Sequence, residues 1–262
     1  MITKEEGEYM KKAMLIASLI IIAIPTSTLA KERLSIGYIY NSSITHSQIV
    51  ENTQESVNVV SPTSFDLNSN GRLVVNSLMN KEFIEEMHEK NIKVTPFLSN
   101  HWERKKAKKA LDKPEKLVED IVNAINEYDL DGINIDLENL TSGYRNKLTA
   151  FMELLREALP DDKTLSIAVA ANPEKLETTW VAAYDYEKLA KCSDYLILMA
   201  YDEHCQGGSP GPVASIDFVE KSIKAVLENV SKDKLVLGIP LYGRFWKDGE
   251  EYGGEAIVIG CV

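Results

Sequence analysis

Residues 131–140 read DGINIDLENL. In a strand, alternate side chains point to opposite faces, so Gly132, Asn134, Asp136 and Glu138 share one face while Ile133, Ile135 and Leu137 share the other. Taken alone, such a segment reads as an antiparallel strand with its polar face in water. Its neighbours argue otherwise. Apolar runs that read as buried strands recur at 34–40, 56–61, 92–98, 132–138, 164–170, 194–201 and 234–242. Between them lie helical patterns, clearest in PEKLVEDIVNAINEY, where Leu117, Ile121, Ala124 and Ile125 repeat at helix spacing, and in YRNKLTAFMELLREAL. NSLMNKEFIEEMHEK and SIDFVEKSIKAVLENV continue the alternation. This cadence means parallel strands joined by crossover helices, either a doubly wound sheet or a (β/α)8 barrel. Parallel strands are covered on both faces, so the acidic face of 132–138 does not lie in bulk water.

In a barrel that face points inward, and Glu138 falls at the C-terminal end of its strand, where barrel enzymes place their chemistry. Asp136 and Glu138 then stand roughly 6 to 7 Å apart along the strand, close enough to couple. Two coupled carboxylates in a restricted site keep one proton between them near neutral pH, which supplies an acid able to protonate a leaving group.

Composition narrows the field. A chain of 262 residues, 44% hydrophobic and 26% charged, is globular in character, with room for one large α/β domain or two small ones. A net charge of -11 argues against nucleic acid or an anionic membrane as partner. Cys192, Cys205 and Cys261 are widely spaced and odd in number, which suggests neither a disulfide framework nor a CxxC metal site.

At the N-terminus, Lys11 and Lys12 precede an apolar run of 12 residues from Ala13 to Ile24, and PTSTLA follows with small residues at Thr28 and Ala30. That layout predicts a signal peptide over residues 1–30, cleaved after Ala30, because the run is shorter than the roughly 20 residues a spanning helix needs. An uncleaved anchor is the competing reading. The acidic opening MITKEEGEY makes Met10 an alternative start to Met1.

DGINIDLE resembles the DGxDxDxE strand-four signature of glycoside hydrolase family 18, the chitinase-like (β/α)8 barrels, with Asp131, Asn134, Asp136 and Glu138 at the marked positions. LMAYDEH resembles the family's strand-six MxYD element (Met199, Tyr201, Asp202), and LGIPLYGRFW its strand-seven GxPxYGR element (Gly238, Pro240, Tyr242, Gly243, Arg244). SPTSFDLNSNGRL, TPFLSNHW and the amide at Asn134 are similar to the bacterial branch that cuts peptidoglycan or spore cortex at N-acetylglucosamine. The resemblance covers about residues 33 to 246. It implies a secreted or spore-associated monomeric hydrolase of β-1,4 bonds in peptidoglycan, cortex or chitin. No cofactor, metal, nucleic acid or, after signal cleavage, membrane is called for.

The implied mechanism has no protein nucleophile: the substrate's 2-acetamido oxygen attacks the anomeric carbon, and family 18 is an exception to the two-carboxylate scheme. Glu138 is implied as acid and then base, Asp136 as the group that holds the acetamido N–H, and Tyr201 as the group that positions the acetamido oxygen. Asn134 and Asp131 are implied as supporting residues; Asn134 cannot titrate, and its amide N–H is expected to favour ionised Asp136. Met199, Asp202, Arg244, Asn100 and Trp102 are the implied substrate-binding residues.

Other features read more plainly. DLNSNG (66–71) resembles the start of a calcium loop, but the twelfth position is Ser77 where a bidentate Glu is required, so a turn is expected. His204 and Cys205 have no partner at metal spacing. Trp246 follows the seventh strand, and Tyr38 faces in or out according to a register the sequence leaves open. The seventh strand ends near Tyr242 with about 20 residues to follow, so either IVIGCV serves as a last strand or the barrel is truncated. An open barrel has free edges. Low stability and weak activity are expected from it, and a carbohydrate-binding barrel without turnover is the alternative function. A doubly wound protein with an unrelated site is a third, disfavoured because no Gly-rich phosphate loop follows an early strand.

Overall fold

Strand β7 (Gly132–Asp136) lies in the middle of the sheet, and all five of its residues are buried. In a computed structural model of the chain, residues 33–248 and 253–258 are described. The predicted signal peptide, residues 1–30, lies outside them. Ile133, Ile135 and Leu137 point to the outer layer, where they are almost wholly enclosed with Leu117, Ile121 and Ile125 of helix α4 (Pro114–Tyr128) in one hydrophobic cluster. Burying such a side chain contributes roughly 1.5–3 kcal/mol, so the pattern that first suggested a strand also fixes which side meets the helices.

The remaining parallel strands flank β7 in chain order. β1 (Ile36–Ile39) precedes helix α1 (His46–Asn52), and β2 (Val59–Pro62) leads into β3 (Phe65–Leu67) and its hairpin partner β4 (Leu73–Val75). After α2 (Lys81–Glu89) come β5 (Lys93–Val94), β6 (Phe97–Ser99), α3 (Arg104–Asp112) and α4. Beyond β7 follow α5 (Arg145–Ala158), β8 (Thr164–Ala170), α6 (Tyr186–Cys192), β9 (Tyr195–Met199), α7 (Ile216–Leu227) and β10 (Leu235–Leu237). The second and third staves are each broken in two, β2 from β3 after Pro62 and β5 from β6 at Pro96, because proline has no N–H to give the ladder. Hydrogen bonds continue past the breaks, from Thr63 N to Ile39 O (2.9 Å), Asp131 N to Val94 O (3.0 Å) and Asn134 N to Pro96 O (2.9 Å). The result is an α/β array of seven parallel staves in sequential order, which corresponds to the seven apolar runs.

Two details position the site. Gly132 opens β7 at φ +152°, and an added Cβ would lie 2.0 Å from Thr164 O, so only glycine lets β7 approach β8 there. The seventh stave is much shorter than 234–242: β10 stops at Leu237, and Gly238 N makes the last bond to β9, at Leu198 O (2.8 Å). Pro240 then breaks the run, and the chain turns into β11 (Tyr242–Phe245), antiparallel to β12 (Glu255–Val258). Ile257 and Val258 of the proposed last strand therefore pair with β11, and the rest of IVIGCV lies outside the described residues. Among the described residues no strand pairs with the outer edge of β1 or β10. No described helix is long and apolar enough to cross a membrane.

Candidate active site

Glu138 lies two residues beyond the end of β7, outside the strand in which the sequence pattern places it. Its backbone leaves the ladder because Asn100 takes over both groups: Glu138 N donates to Asn100 Oδ1 (2.8 Å) and Asn100 Nδ2 donates to Glu138 O (3.0 Å). Asn139 then adopts a left-handed conformation, φ +58°, which swings the chain away. Asn100 is fully enclosed, and both ends of its amide are used on Glu138. It shapes the backbone that carries the acid, instead of lining the surface as the resemblance implied.

Asp136 is buried, and its Oδ1 has no hydrogen-bond partner among the described residues. An enclosed carboxylate oxygen without a donor costs on the order of 1–3 kcal/mol, and such atoms in native proteins call for a functional explanation. Burial pushes the Asp136 carboxyl up to about 6. Burial first, then the charges of Asp136 and Asp202, push Glu138 up to about 8. Both carboxyls are thus raised, and burial with mutual repulsion favours one proton held by the pair near neutral pH.

Below them, Asn134 is enclosed beside Ser166 and Tyr38. It donates from Nδ2 to Ser166 Oγ (2.9 Å) and accepts at Oδ1 from the Tyr38 hydroxyl (2.8 Å). None of these bonds reaches Asp136, so the expected support of ionised Asp136 by the Asn134 amide is not what the structure contains. The Tyr38 bond also settles that residue's register, since β1 is three staves away and the hydroxyl meets Asn134 across the interior. Asp131 lies at the opposite end of β7, where its Oδ2 accepts from Val94 N (2.8 Å) and lies 2.9 Å from His88 Nε2. It ties strand ends together, far from the carboxylate pair.

Above, the inward face of β8 carries Ser166, Ala168 and Ala170, and Met199 pairs with Ala170 in register, so small side chains leave space beside Glu138. Tyr201 follows β9; burial and the Asp136 charge hold its phenol well above its usual range, leaving an O–H donor. A Cβ on Gly238 would lie 3.0 Å from the Tyr201 ring, so the glycine makes room for it. Arg244 donates twice to Asp202 Oδ1 (3.0 and 2.8 Å) and once to Gly254 O (2.9 Å), which fastens the β11–β12 hairpin to the loop after β9. Trp102 is half exposed and rests edge-to-face on Trp180, centroids 4.9 Å apart. Its carbonyl accepts from Asn139 Nδ2 (2.9 Å), which ties the aromatic loop to the one bearing Glu138.

Tyr40 was not foreseen. It is exposed and its ring rests against Phe97, with centroids 5.4 Å apart. The GYIY alternation puts it on the face of Tyr38, and that parity was the available signal. Asp66 and His101, also at this mouth, form a hydrogen-bonded pair. The turn expected at 66–71 is the β3–β4 hairpin, closed by Asn68 Oδ1 accepting from Asn70 N and Arg72 N. His204 Nδ1 lies 3.0 Å from Ser209 O, and Trp246 Nε1 donates to Gly208 O (2.9 Å). Cys192 and Cys205 carry free thiols; Cys261 lies outside the described residues. No cluster of three His, Cys, Asp or Glu among the described residues is placed to hold a metal.

Residues 35–258 match the model of a family described as Glycosyl hydrolases family 18. The chain is 34% identical over 131 residues to a putative sporulation-specific glycosylase, YdhD, of Bacillus subtilis (strain 168), a match that spans 50% of this chain and 31% of that protein. It is 29% identical over 216 residues to a cortical fragment-lytic enzyme of the same organism, spanning 76% of this chain and 49% of the relative. The matches thus span about a third and about half of those two relatives' lengths. Among solved structures, a chitinase from Chromobacterium violaceum superposes with a TM-score of 0.77 at 24% identity, covering 86% of this chain and 74% of the other, a likeness of fold.

Proposed function

The chain belongs to glycosyl hydrolase family 18, and we propose that it is a secreted or spore-associated glycosidase that cleaves β-1,4 bonds at N-acetylglucosamine, in peptidoglycan or spore cortex before chitin. The observation that carries this reading is the buried Asp136 Oδ1, an acceptor without a donor beside a carboxyl that keeps its proton. An N-acetylated sugar supplies the missing donor in its amide N–H. With that bond made, the acetamido oxygen is turned toward the anomeric carbon, and the Tyr201 hydroxyl steadies it. Glu138 protonates the glycosidic oxygen as the acetamido oxygen closes on the carbon, and Asp136 stabilises the positive charge that spreads onto the amide nitrogen. Glu138, now ionised, takes a proton from the incoming water and the ring reopens with retained configuration. Trp102 offers a ring face for a neighbouring sugar. The seven staves form part of a (β/α)8 barrel in this reading, and the protein acts as a monomer. The preference for cortex rests on relatives whose names carry sporulation and cortical fragments.

The test is release of reducing ends and muropeptides from cortex, vegetative wall and chitin, comparing wild type with Glu138→Gln. Release by wild type alone supports the proposal. A folded wild-type protein that binds polymer and releases nothing would instead make it a carbohydrate-binding barrel.

A further inference from the structure

Helix α3 (Arg104–Asp112) opens two residues after Trp102 and reads RKKAKKALD. Between Glu103 and Lys116 the chain carries seven Lys or Arg and three Asp or Glu, a local excess of four positive charges in a protein whose net charge is -11. A basic run is ordinarily a solvated helix face, and α6 and α7 show what such a face looks like. They pair lysines with acids four residues away, Glu187 with Lys191 and Glu220 with Lys224, and each has an acid in its first turn, where the helix dipole favours one. α3 does the opposite. Arg104 and Lys108, like Lys105 and Lys109, are equal charges four residues apart, the first turn holds no acid, and Glu103 at the N-cap makes no capping bond. Both features work against the helix itself.

Its neighbours hold the helix rigidly at the mouth, between the β3–β4 hairpin and the loop after β7. Ala107, Ala110 and Leu111 bury its inner face, and a Cβ on Gly71 of the hairpin would lie 2.4 Å from Ala110 N. Lys109 Nζ donates to Ser69 O (2.8 Å), Lys106 is paired with Glu103 (2.6 Å), and Asp112 is taken by Lys147. Three cations are left without a carboxylate in hydrogen-bond reach. Arg104 donates from Nε to Asn139 O (2.7 Å) and from Nη2 to Asn139 Oδ1 (2.6 Å), which holds its guanidinium at the residue that follows Glu138. Three of its five N–H groups are unused among the described residues. Lys108 Nζ lies 4.8 Å from the centre of the Tyr144 ring, and Lys105 is exposed with no partner among the described residues. Arg104 and Lys108 are one helical turn, roughly 6 Å, apart. The row thus starts at the loop that bears the acid, beside the half-exposed Trp102 ring.

The mouth itself is acidic, with Asp66, Asp136, Glu138 and Asp202 around it. A polymer that carries carboxylates on the sugars next to the cleaved bond is repelled by that group unless cations stand beside it, whereas a neutral N-acetylated polymer needs none. Charges in physiological salt interact over about 8 Å, so the patch acts locally whatever the net charge of the chain. We propose that Arg104, Lys105 and Lys108 form a subsite for the carboxylates of peptidoglycan strands, carried as lactyl ethers on alternate sugars, and that this subsite selects the acidic polymer over chitin. The inference rests on the glycosidase reading above for its purpose and names the substrate class, but binding can be measured without turnover. The full chain carrying Glu138→Gln is titrated with soluble glycan strands whose lactyl carboxylates are free, with the same strands amidated, and with a polyol phosphate as competitor. Lys105→Gln with Lys108→Gln, the corresponding pair of Arg substitutions, Arg104→Gln, and Lys224→Gln on α7 as a charge control are compared, each checked by thermal melting.

The free-carboxylate strand is expected to bind about 5- to 10-fold more tightly than the amidated one at low salt, the worth of a few exposed charge pairs. In about 1 M salt, where screening acts within about 3 Å, the preference should largely disappear. It should fall to about twofold or less in the double Gln variant and in Arg104→Gln, and persist in the double Arg variant and in Lys224→Gln. A ratio near one before any patch residue is changed overturns the proposal, as does a ratio that the double Gln variant retains. Displacement by the polyol phosphate as effective, charge for charge, as by the carboxylated strand also overturns it, being the mark of a general anion surface. Equal loss of both strands in Arg104→Gln makes that residue a loop anchor and removes it from the subsite. Release of reducing ends from neither strand by the chain with Glu138 intact would sink the glycosidase reading instead, and the binding ratio would still decide the subsite.

Discussion

Replacing Glu138 with Gln keeps the side-chain volume and removes the ionisable group, so the change isolates the cost of placing a carboxyl here. Folded Glu138 titrates at about 8 against an ordinary 4.5, raised first by burial and then by Asp136 and Asp202. Below about pH 4.5 the carboxyl is protonated in both folded and unfolded chains, and Glu and Gln behave alike. Between those values the unfolded chain ionises while the folded one holds its proton, so wild-type stability drains as pH rises and levels off above about 8. At about 1.4 kcal/mol per pH unit the full gap has a ceiling of about 5 kcal/mol. Glu138 is partly open to solvent and shares its field with Asp136, and screening reduces this to about 2 kcal/mol. For a chain of this size that corresponds to a Tm difference of roughly 4 to 8 °C. Thermal unfolding of both proteins from pH 4 to pH 9 should give coincident Tm values at the acid end and a more stable Gln variant at the alkaline end, with hydrolysis abolished throughout. A Tm difference independent of pH would refute the reasoning, because it would mean that the carboxyl is not held protonated by its surroundings.

The same two carboxyls bound the working range. Asp136 ionises only above about 6 and Glu138 keeps its proton only below about 8, so kcat/KM on peptidoglycan fragments should peak between those limits and fall on both sides. Asn100→Ala strips both partners from the Glu138 backbone in an enclosed site and should cost about 2–4 kcal/mol in denaturant unfolding, with kcat reduced as well. Trp102→Ala should raise KM roughly 3- to 10-fold with kcat little changed, the worth of about 1 kcal/mol of ring contact; an unaltered KM would remove the ring from the binding surface. Gly132→Ala drives a methyl group into Thr164 O and should prevent soluble expression.

Helix α4 occupies Pro114–Tyr128, the span of its apolar repeat, and β8 occupies Thr164–Ala170, the span of its apolar run. Both were legible because burial on a fixed face imposes a period that composition records directly. Prediction was weaker where a neighbour decides the backbone. Pro96 splits the run read at 92–98, β3 extends the second stave beyond the run read at 56–61, and 234–242 shortened to Leu235–Leu237 because β10 pairs with β9 alone and its chain is diverted at Gly238 and Pro240. The carboxylate pair was legible from parity. The partners of Asn100, Asn134 and His101 were not, since each is a residue at least 30 positions away.

The sequence by itself determined the alternation of parallel strands and helices and the shared face of Asp136 and Glu138, because periodicity is a one-dimensional property, while it left the order of the staves between a doubly wound sheet and a barrel. Only the tertiary structure decided what surrounds those carboxylates. It placed Asp66, Ser99 and Asp136 in one row, left Asp136 Oδ1 without a donor, and turned the Asn134 amide toward Ser166. Register across strands and the competition among polar groups for partners are set by packing in three dimensions, and it is these that fix how the pair holds its proton.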